Sequence, residues 1–267
     1  MSSRYGRTRR GAFAVLVAVG LGLLSSTPAL AITYGTADGN AHPEVAGLVA
    51  DKAYSDGTWT YCTGTLISPT VVVTAAHCGD PGQTTARVSF SSAYKDGDKT
   101  YTGRYIPDSR YGTAGNSHPY DIAVIVFSKP ISGITPAQLP SKGLLDRMKA
   151  DGSLQPSTFT SVGYGSSAPQ NGPGGKSYPY DDVRQQSHGS YNTLDNDWLK
   201  LSQNPSTGNG GTCYGDSGGP NFLGDSSSRL LVANTITGDS ACRSTNVDYR
   251  LDTDAARSFL AAYVALP

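Results

Sequence analysis

Short apolar or β-branched runs recur along the chain, and clusters of Gly, Pro, Asn, Asp and Ser separate them. Ala46-Gly47-Leu48-Val49-Ala50, Val71-Val72-Val73-Thr74, Ile122-Ala123-Val124-Ile125-Val126-Phe127 and Leu230-Leu231-Val232-Ala233 are of strand length and bounded by turn formers. With 32 Gly and 16 Pro in 267 residues, the pattern predicts many short strands joined by turns, an all-β sandwich or barrel. The tail departs from it. Asp252 or Thr253 can cap a helix over 255–263, with Phe259, Leu260 and Tyr263 on one face. The polar stretch Thr135 to Gly152, poor in strand formers, predicts a linker between two halves of similar size. Gly165 to Asp182, rich in Gly, Pro and Ser, predicts a mobile surface excursion. Asp96-Gly97-Asp98 reads as a hairpin turn, and turn chemistry outweighs a calcium site there.

The front end has a different pattern. Arg4, Arg7, Arg9 and Arg10 precede an apolar stretch from Gly11 to Leu24, and Ala29-Leu30-Ala31 follows as a small-residue cleavage site. The apolar stretch is shorter than the roughly 20 residues of a membrane span, so residues 1–31 read as an export signal cut after Ala31. Removing it takes four of the 21 basic residues and no acid, leaving 17 against 21 and a net charge of −4. That balance argues against nucleic-acid binding and against a polybasic membrane role. The expected location is extracellular.

Cys62, Cys78, Cys213 and Cys242 all lie beyond the signal, and an even count in an exported chain predicts two disulfides. Four cysteines allow three pairings; joining neighbours would close loops of modest length. No C-x2-C spacing supports a zinc site.

The candidate chemistry centres on Gly215-Asp216-Ser217-Gly218-Gly219-Pro220. A serine between glycines can present a hydroxyl beside backbone N–H groups, which acyl transfer requires, although the same composition also makes an ordinary turn. A general base has four candidates. His77, in Thr74-Ala75-Ala76-His77-Cys78, follows an apolar strand and adjoins a cysteine, whereas His42, His118 and His188 read as surface-loop residues. Asp121 opens the apolar run Ile122 to Phe127 and so belongs at a strand mouth near the core, where an orienting acid must be. The order His77, Asp121, Ser217 is a known triad order. The α/β-hydrolase elbow also fits Gly215 to Gly219, but it needs a histidine after the serine, and none follows Ser217.

With these motifs in order, the chain resembles the trypsin/chymotrypsin-like serine peptidases of the bacterial secreted type. Thr74 to Cys78 is similar to the family's histidine motif, Asp121-Ile122-Ala123-Val124 to its aspartate motif, and Gly215 to Pro220 to its serine motif. Val162-Gly163-Tyr164-Gly165 resembles the strand that opens its second half. The resemblance implies two six-stranded antiparallel β-barrels with the site in the cleft between them and a short C-terminal helix. Its peptidase domain would span 32–267, one barrel over about 32–135 and the other, with the helix, over about 153–267. It implies the disulfides Cys62–Cys78 and Cys213–Cys242. It makes Ser217 the nucleophile, His77 the general base, Asp121 its partner, and the N–H groups of Gly215 and Ser217 the oxyanion hole.

The resemblance also implies that the new α-ammonium at Ile32 pairs with Asp216 and orders the site, so that signal cleavage itself activates the enzyme. The specificity pocket would comprise Gly211, Thr212, Tyr214, Gly238 and Val247. Gly211 stands where trypsin-like members that cut after Lys or Arg carry an aspartate, and strand alternation turns Asp248 away from the pocket beside Tyr249, so an apolar or mixed preference is expected. A secreted endopeptidase follows, monomeric, without cofactor or metal, acting on proteins or peptides and open to proteinaceous inhibitors, with no nucleic acid and no stable membrane association. The alternatives are an inactive binding protein on the same scaffold and an esterase using the same triad.

Overall fold

The structure is a computed structural model that describes residues 32–113 and 119–267. The signal reading of residues 1–31 and the surface reading of His118 therefore lie outside the described residues.

Antiparallel strands build almost everything. In the first barrel β2 (Val45–Val49), β3 (Thr60–Ser68), β4 (Val71–Thr74), β5 (Thr85–Ser89), β6 (Tyr101–Pro107) and β7 (Ala123–Val126) close in the order β2-β3-β4-β7-β6-β5. The second comprises β8 (Thr158–Gly163), β11 (Gln185–Leu194), β12 (Trp198–Ser202), β13 (Pro220–Leu223), β14 (Leu231–Gly238) and β15 (Thr245–Arg250). It closes because β8 pairs with both β13 and β11, while the two-residue β1 (Thr36–Ala37) adds to β11. The fold is thus two closed six-stranded barrels with a C-terminal helix.

The sequence explains the strands locally. All four residues of Val71-Val72-Val73-Thr74 are buried, and β4 pairs with β3 on one side and β7 on the other, where β-branched side chains fit a crowded pleat. One apolar cluster runs through both barrels, joining Val45, Leu66, Val72 and Ile125 of the first to Tyr164, Phe222 and Tyr249 of the second. Asp96-Gly97-Asp98 lies in the β5–β6 connection with Gly97 at φ 88°, the turn that its composition predicts.

The tail helix α2 (Asp254–Leu260) is capped by Thr253, whose side chain accepts the Ala256 N–H, and Leu260 is buried with Phe259 and Tyr263 packed beside it. The stretch 135–152 holds more than a linker: α1 (Leu144–Ala150) forms inside it. Leu145 supplies an apolar anchor, and because Gly143 has no capping side chain, Asp252 caps α1 from outside by accepting the Leu145 N–H at 2.8 Å.

Two other regions differ from expectation. Residues 165–182 form a hairpin, β9 (Gln170–Gly172) with β10 (Gly175–Ser177), tied down at its base rather than projecting freely. The Ser166 N–H donates to the Tyr214 carbonyl, the Tyr178 hydroxyl to the Ser240 carbonyl, and Asp182 accepts the Trp59 and Thr60 N–H groups. His42 is buried rather than a surface residue. Its ring stacks on Phe222, and its Nδ1 lies 2.5 Å from Asp38. The fully buried Arg184 joins this cluster. It donates to Asp38 at 2.8 Å, to the Gly39, Val45 and Phe90 carbonyls, and to the Tyr164 hydroxyl, so one guanidinium ties the N-terminal segment to both barrels.

Candidate active site

His77 is placed by the way β4 ends. After Thr74 the chain turns through a single 3-10 turn, Ala76–Cys78, that carries His77 outward. The Cys78–Cys62 disulfide fastens this turn to β3. The Tyr105 hydroxyl donates to the Ala75 and Ala76 carbonyls at 3.0 and 2.8 Å, and its ring fills the space beside Gly79, where a Cβ would stand 2.3 Å from the ring. The His77 N–H donates to Asp121 Oδ1 at 2.9 Å, and its Nδ1 lies 2.7 Å from Oδ2. The Asp121 side chain is 3% exposed and the imidazole 30%. An ionised carboxylate only accepts, so Nδ1 carries the proton in this pair and Nε2 is left without one, as a base requires.

The nucleophile loop is a pair of tight turns made possible by glycine. Gly215 and Gly218 take φ of 92° and 78°, in the left-handed region. A Cβ on Gly218 would lie 2.1 Å from Thr74 Oγ1 and 2.5 Å from the Thr63 carbonyl, so the loop could not seat against the first barrel with any other residue there. Thr63 of β3 grips it from that side: its N–H donates to the Ser217 carbonyl at 2.9 Å and its hydroxyl to the Gly215 carbonyl at 3.1 Å. The first barrel thereby fixes a loop that belongs to the second. Among the described residues, the N–H groups of Gly215 and Ser217 donate to no protein acceptor. Two free donors in the same turn as a hydroxyl can stabilise an oxyanion formed beside it.

Asp216 points the other way, into the protein. It is fully buried, its Oδ1 accepting the Gly165 N–H and its Oδ2 the Cys213 N–H, both at 2.8 Å. Gly163 and Gly165 leave the room for it, since a Cβ on either would stand within 2.5 Å of its carboxyl atoms. Burial without a counter-charge pushes its pKa up to about 7, against the pull of the two N–H groups. Ile32 is buried as well, and the next residue, Thr33, forms a two-way bridge with Gly211, five positions before Asp216.

A cavity of ≈ 200 Å³ opens beside Ser217. Its walls include Thr212, Tyr214, Gly238, Asp239 and Ser240, with the Cys213–Cys242 disulfide across one side. Three of the five residues expected there, Thr212, Tyr214 and Gly238, line it; Gly211 and Val247 do not. The space that a side chain at 211 would need is filled by Gln203, whose Oε1 is 2.0 Å from an ideal Cβ on Gly211. Gln203 is 1% exposed, its Nε2 donates to Asp239, and its Oε1 has no hydrogen-bond partner. Nothing in the sequence around Gln203 marks it, because it reaches this place only through the pairing of Ser202 with Thr245 at the end of β12.

Asp248 does not line the cavity, but neither does Tyr249, beside which alternation was expected to turn it away; Tyr249 packs in the core instead. Asp248 is fully buried, accepts from Asn221 Nδ2 at 2.7 Å, and burial raises its pKa well above the carboxylate range. Asn221 and Asn246 continue this network to Thr212, whose hydroxyl donates to Asn246 at 2.7 Å, so the cavity wall rests on a buried polar lattice. His188 is an exposed residue of β11 whose Nδ1 lies 3.2 Å from the Thr160 hydroxyl. Cys62, His77 and Cys78 also lie within 4.8 Å of one another, as metal ligands would, but both sulfurs are spent in the disulfide and offer no thiolate.

The structure thus holds a histidine paired with a buried aspartate and a glycine-flanked serine on a loop seated between the two barrels. The family model described as Trypsin matches residues 37–258, most of the chain, and on that match the chain belongs to the trypsin family.

Proposed function

We propose that this chain is a secreted serine endopeptidase that hydrolyses peptide bonds through an acyl-enzyme on Ser217. The observation that carries the proposal is the Asp121–His77 pair, held at 2.7 Å through Nδ1. In the reaction Ser217 Oγ attacks the scissile carbonyl while His77 Nε2 takes its proton. The C–N bond breaks as His77 returns that proton to the leaving amine. Water, deprotonated by the same nitrogen, then cleaves the ester. Asp121 keeps the tautomer and stabilises the imidazolium. The N–H groups of Gly215 and Ser217 hold the oxyanion, each worth about 3 kcal/mol in the transition state.

The ≈ 200 Å³ cavity takes the side chain on the acyl side of the scissile bond. Its carboxylate, Asp239, already accepts the N–H groups of Arg243, Ser244 and Thr245 and the Gln203 amide, which supports a preference for apolar or uncharged side chains. Two disulfides suit an oxidising compartment, and no helix among the described residues is long and apolar enough to cross a membrane. Cutting after Ala31 would give Ile32 the ammonium that the buried Asp216 lacks, joining export to activation.

A serine-directed fluorophosphonate tests the reading. It should label the processed chain and fail on Ser217→Ala, with protein digestion lost in parallel. Labelling that survives Ser217→Ala would place the nucleophile elsewhere.

A further inference from the structure

Two hollows lie near His77 and the Ser217 loop, apart from the Ser217 cavity. One, of ≈ 370 Å³, is walled by Tyr54, Tyr61 and Tyr180 with Asp56 and Thr58. The other, of ≈ 650 Å³, shares Tyr54 and Tyr61 and continues past Cys78, Asp80 and Gln83 to Arg87 and Asp51. Their place relative to the chemistry is fixed at two points. Tyr180 lies against Gly215, where a Cβ would stand 2.9 Å from its ring, and Cys78 directly follows His77. Because His77 must hand its proton to the departing amine, the chain on the leaving-group side passes His77 and runs into these hollows.

Their charge is one-sided. Asp51, Asp56 and Asp80 face a single cation, Arg87, which is spent on Asp51 at 3.3 Å and on the Ala50 carbonyl. Asp56 is held ionised by Thr58, whose N–H and hydroxyl donate to it at 3.0 and 2.7 Å and keep its pKa below the ordinary value. The field reaches the tyrosines: besides burial, Asp80 and Asp56 push the Tyr54 hydroxyl up, and burial with Asp216 and Asp56 pushes Tyr180 up to about 12. The tyrosine-walled hollow thus sets three tyrosines beside Asp56, with Asp80 in the adjoining hollow that shares Tyr54 and Tyr61, a chemistry that selects an organic cation.

We propose that the hollow walled by Tyr54, Tyr61 and Tyr180 receives a Lys or Arg side chain from the leaving-group side of the substrate, with Asp56 in that hollow and Asp80 in the adjoining one as its counter-charges. This rests on the peptidase reading and adds to it a requirement on the far side of the scissile bond. The long apolar stem of such a side chain lies along the tyrosine rings and its head reaches the carboxylates. An acidic residue in the same place meets both carboxylates unscreened.

Internally quenched peptides test it. They share one acyl side and carry Arg, Ala or Glu at each of the first three positions after the scissile bond. The readout is kcat/KM of the processed enzyme, with each variant normalised to its own Ala peptide. At one of these positions Arg should exceed Ala by about tenfold and Glu should fall below Ala, with the preference shrinking at high salt. In the double variant Asp56→Asn, Asp80→Asn the Arg advantage should collapse to within about twofold, since asparagine keeps the acceptor for Thr58 and removes only the charge. Equal cleavage of the Arg, Ala and Glu peptides, or an Arg preference intact in the double variant, overturns the cation site and leaves the peptidase reading standing. Cleavage of none of the peptides overturns the peptidase reading, and the cation site with it.

Discussion

Asp216 makes a quantitative test of the activation step. In a chain blocked ahead of Ile32, its buried carboxyl has two N–H donors and a pKa raised from 3.8 to about 7. A raised acid binds its proton more tightly folded than unfolded. Its effect is absent below the unfolded pKa, grows as pH rises between the two values, and is complete above the folded one. The shift of roughly 3 units corresponds to a loss of about 4 kcal/mol above neutrality, at 1.36 kcal/mol per unit. A free Ile32 ammonium paired with the carboxylate removes that loss.

The assay compares two forms of Ser217→Ala, one starting at a free Ile32 and one acetylated there, by equilibrium denaturant unfolding across pH. Asp248, whose pKa is also raised by burial, acts alike in both forms, so the difference isolates Asp216. The free form should be more stable by up to about 4 kcal/mol near pH 7.5. That is roughly 10 °C in Tm for a domain of this size. The gap should close below about pH 4, where the carboxyl is protonated in both states. It should shrink again as pH rises through the ammonium's pKa in the pair, which the pairing raises above the free value of about 8. Equal stabilities near pH 7.5, or a gap that persists at pH 4, would refute the pairing.

Three further outcomes follow from the site. Asp121→Asn should lower kcat by roughly 10⁴-fold with little change in KM, the loss known for the archetypal triad of this family, because the wrong tautomer then faces Ser217; steady-state kinetics on one peptide checks it. Gly211→Asp should destabilise by about 1–3 kcal/mol without creating a preference for Arg, since Gln203 holds the space. Adding Gln203→Ala should recover the stability in denaturant melts and admit the basic preference. Replacing both Cys62 and Cys78 by Ala frees a chain separation of 16 residues. It should cost about 3 kcal/mol in thermal or chemical unfolding and lower kcat as the His77 turn loosens.

The positions of His77, Asp121 and Ser217 in the fold were legible because each sits in a short run whose local pattern already implies its place. Asp121 directly precedes the β7 run, His77 follows β4, and the glycines around Ser217 announce the turns that seat it. The C-terminal helix was legible from one cap and one apolar face. What escaped was set by tertiary contacts. His42, next to a proline among polar neighbours, reads as surface, yet Phe222 and Asp38 bury it from distant parts of the chain and from four residues away respectively. The composition of 165–182 suggests mobility, and only Tyr214 and Ser240, on other loops, reveal what holds it. Gln203 was invisible for the same reason: a missing side chain at Gly211 does not say which residue fills the space.

The buried guanidinium of Arg184 bears on how long the molecule lasts. The secreted peptidase proposed above would live among copies of itself, and a copy is cut most easily while its chain is open. Parting the barrels would strip Arg184 of the Val45 and Phe90 carbonyls of the first barrel, while Asp38 and Gly39, held to β11 through β1, and the Tyr164 hydroxyl stay with the second. Small excursions regain nothing until both carbonyl contacts are lost, so the cost falls on the barrier rather than on the end states. The lifetime in its own company is then governed by the rate of opening, to which the two first-barrel contacts of Arg184 contribute.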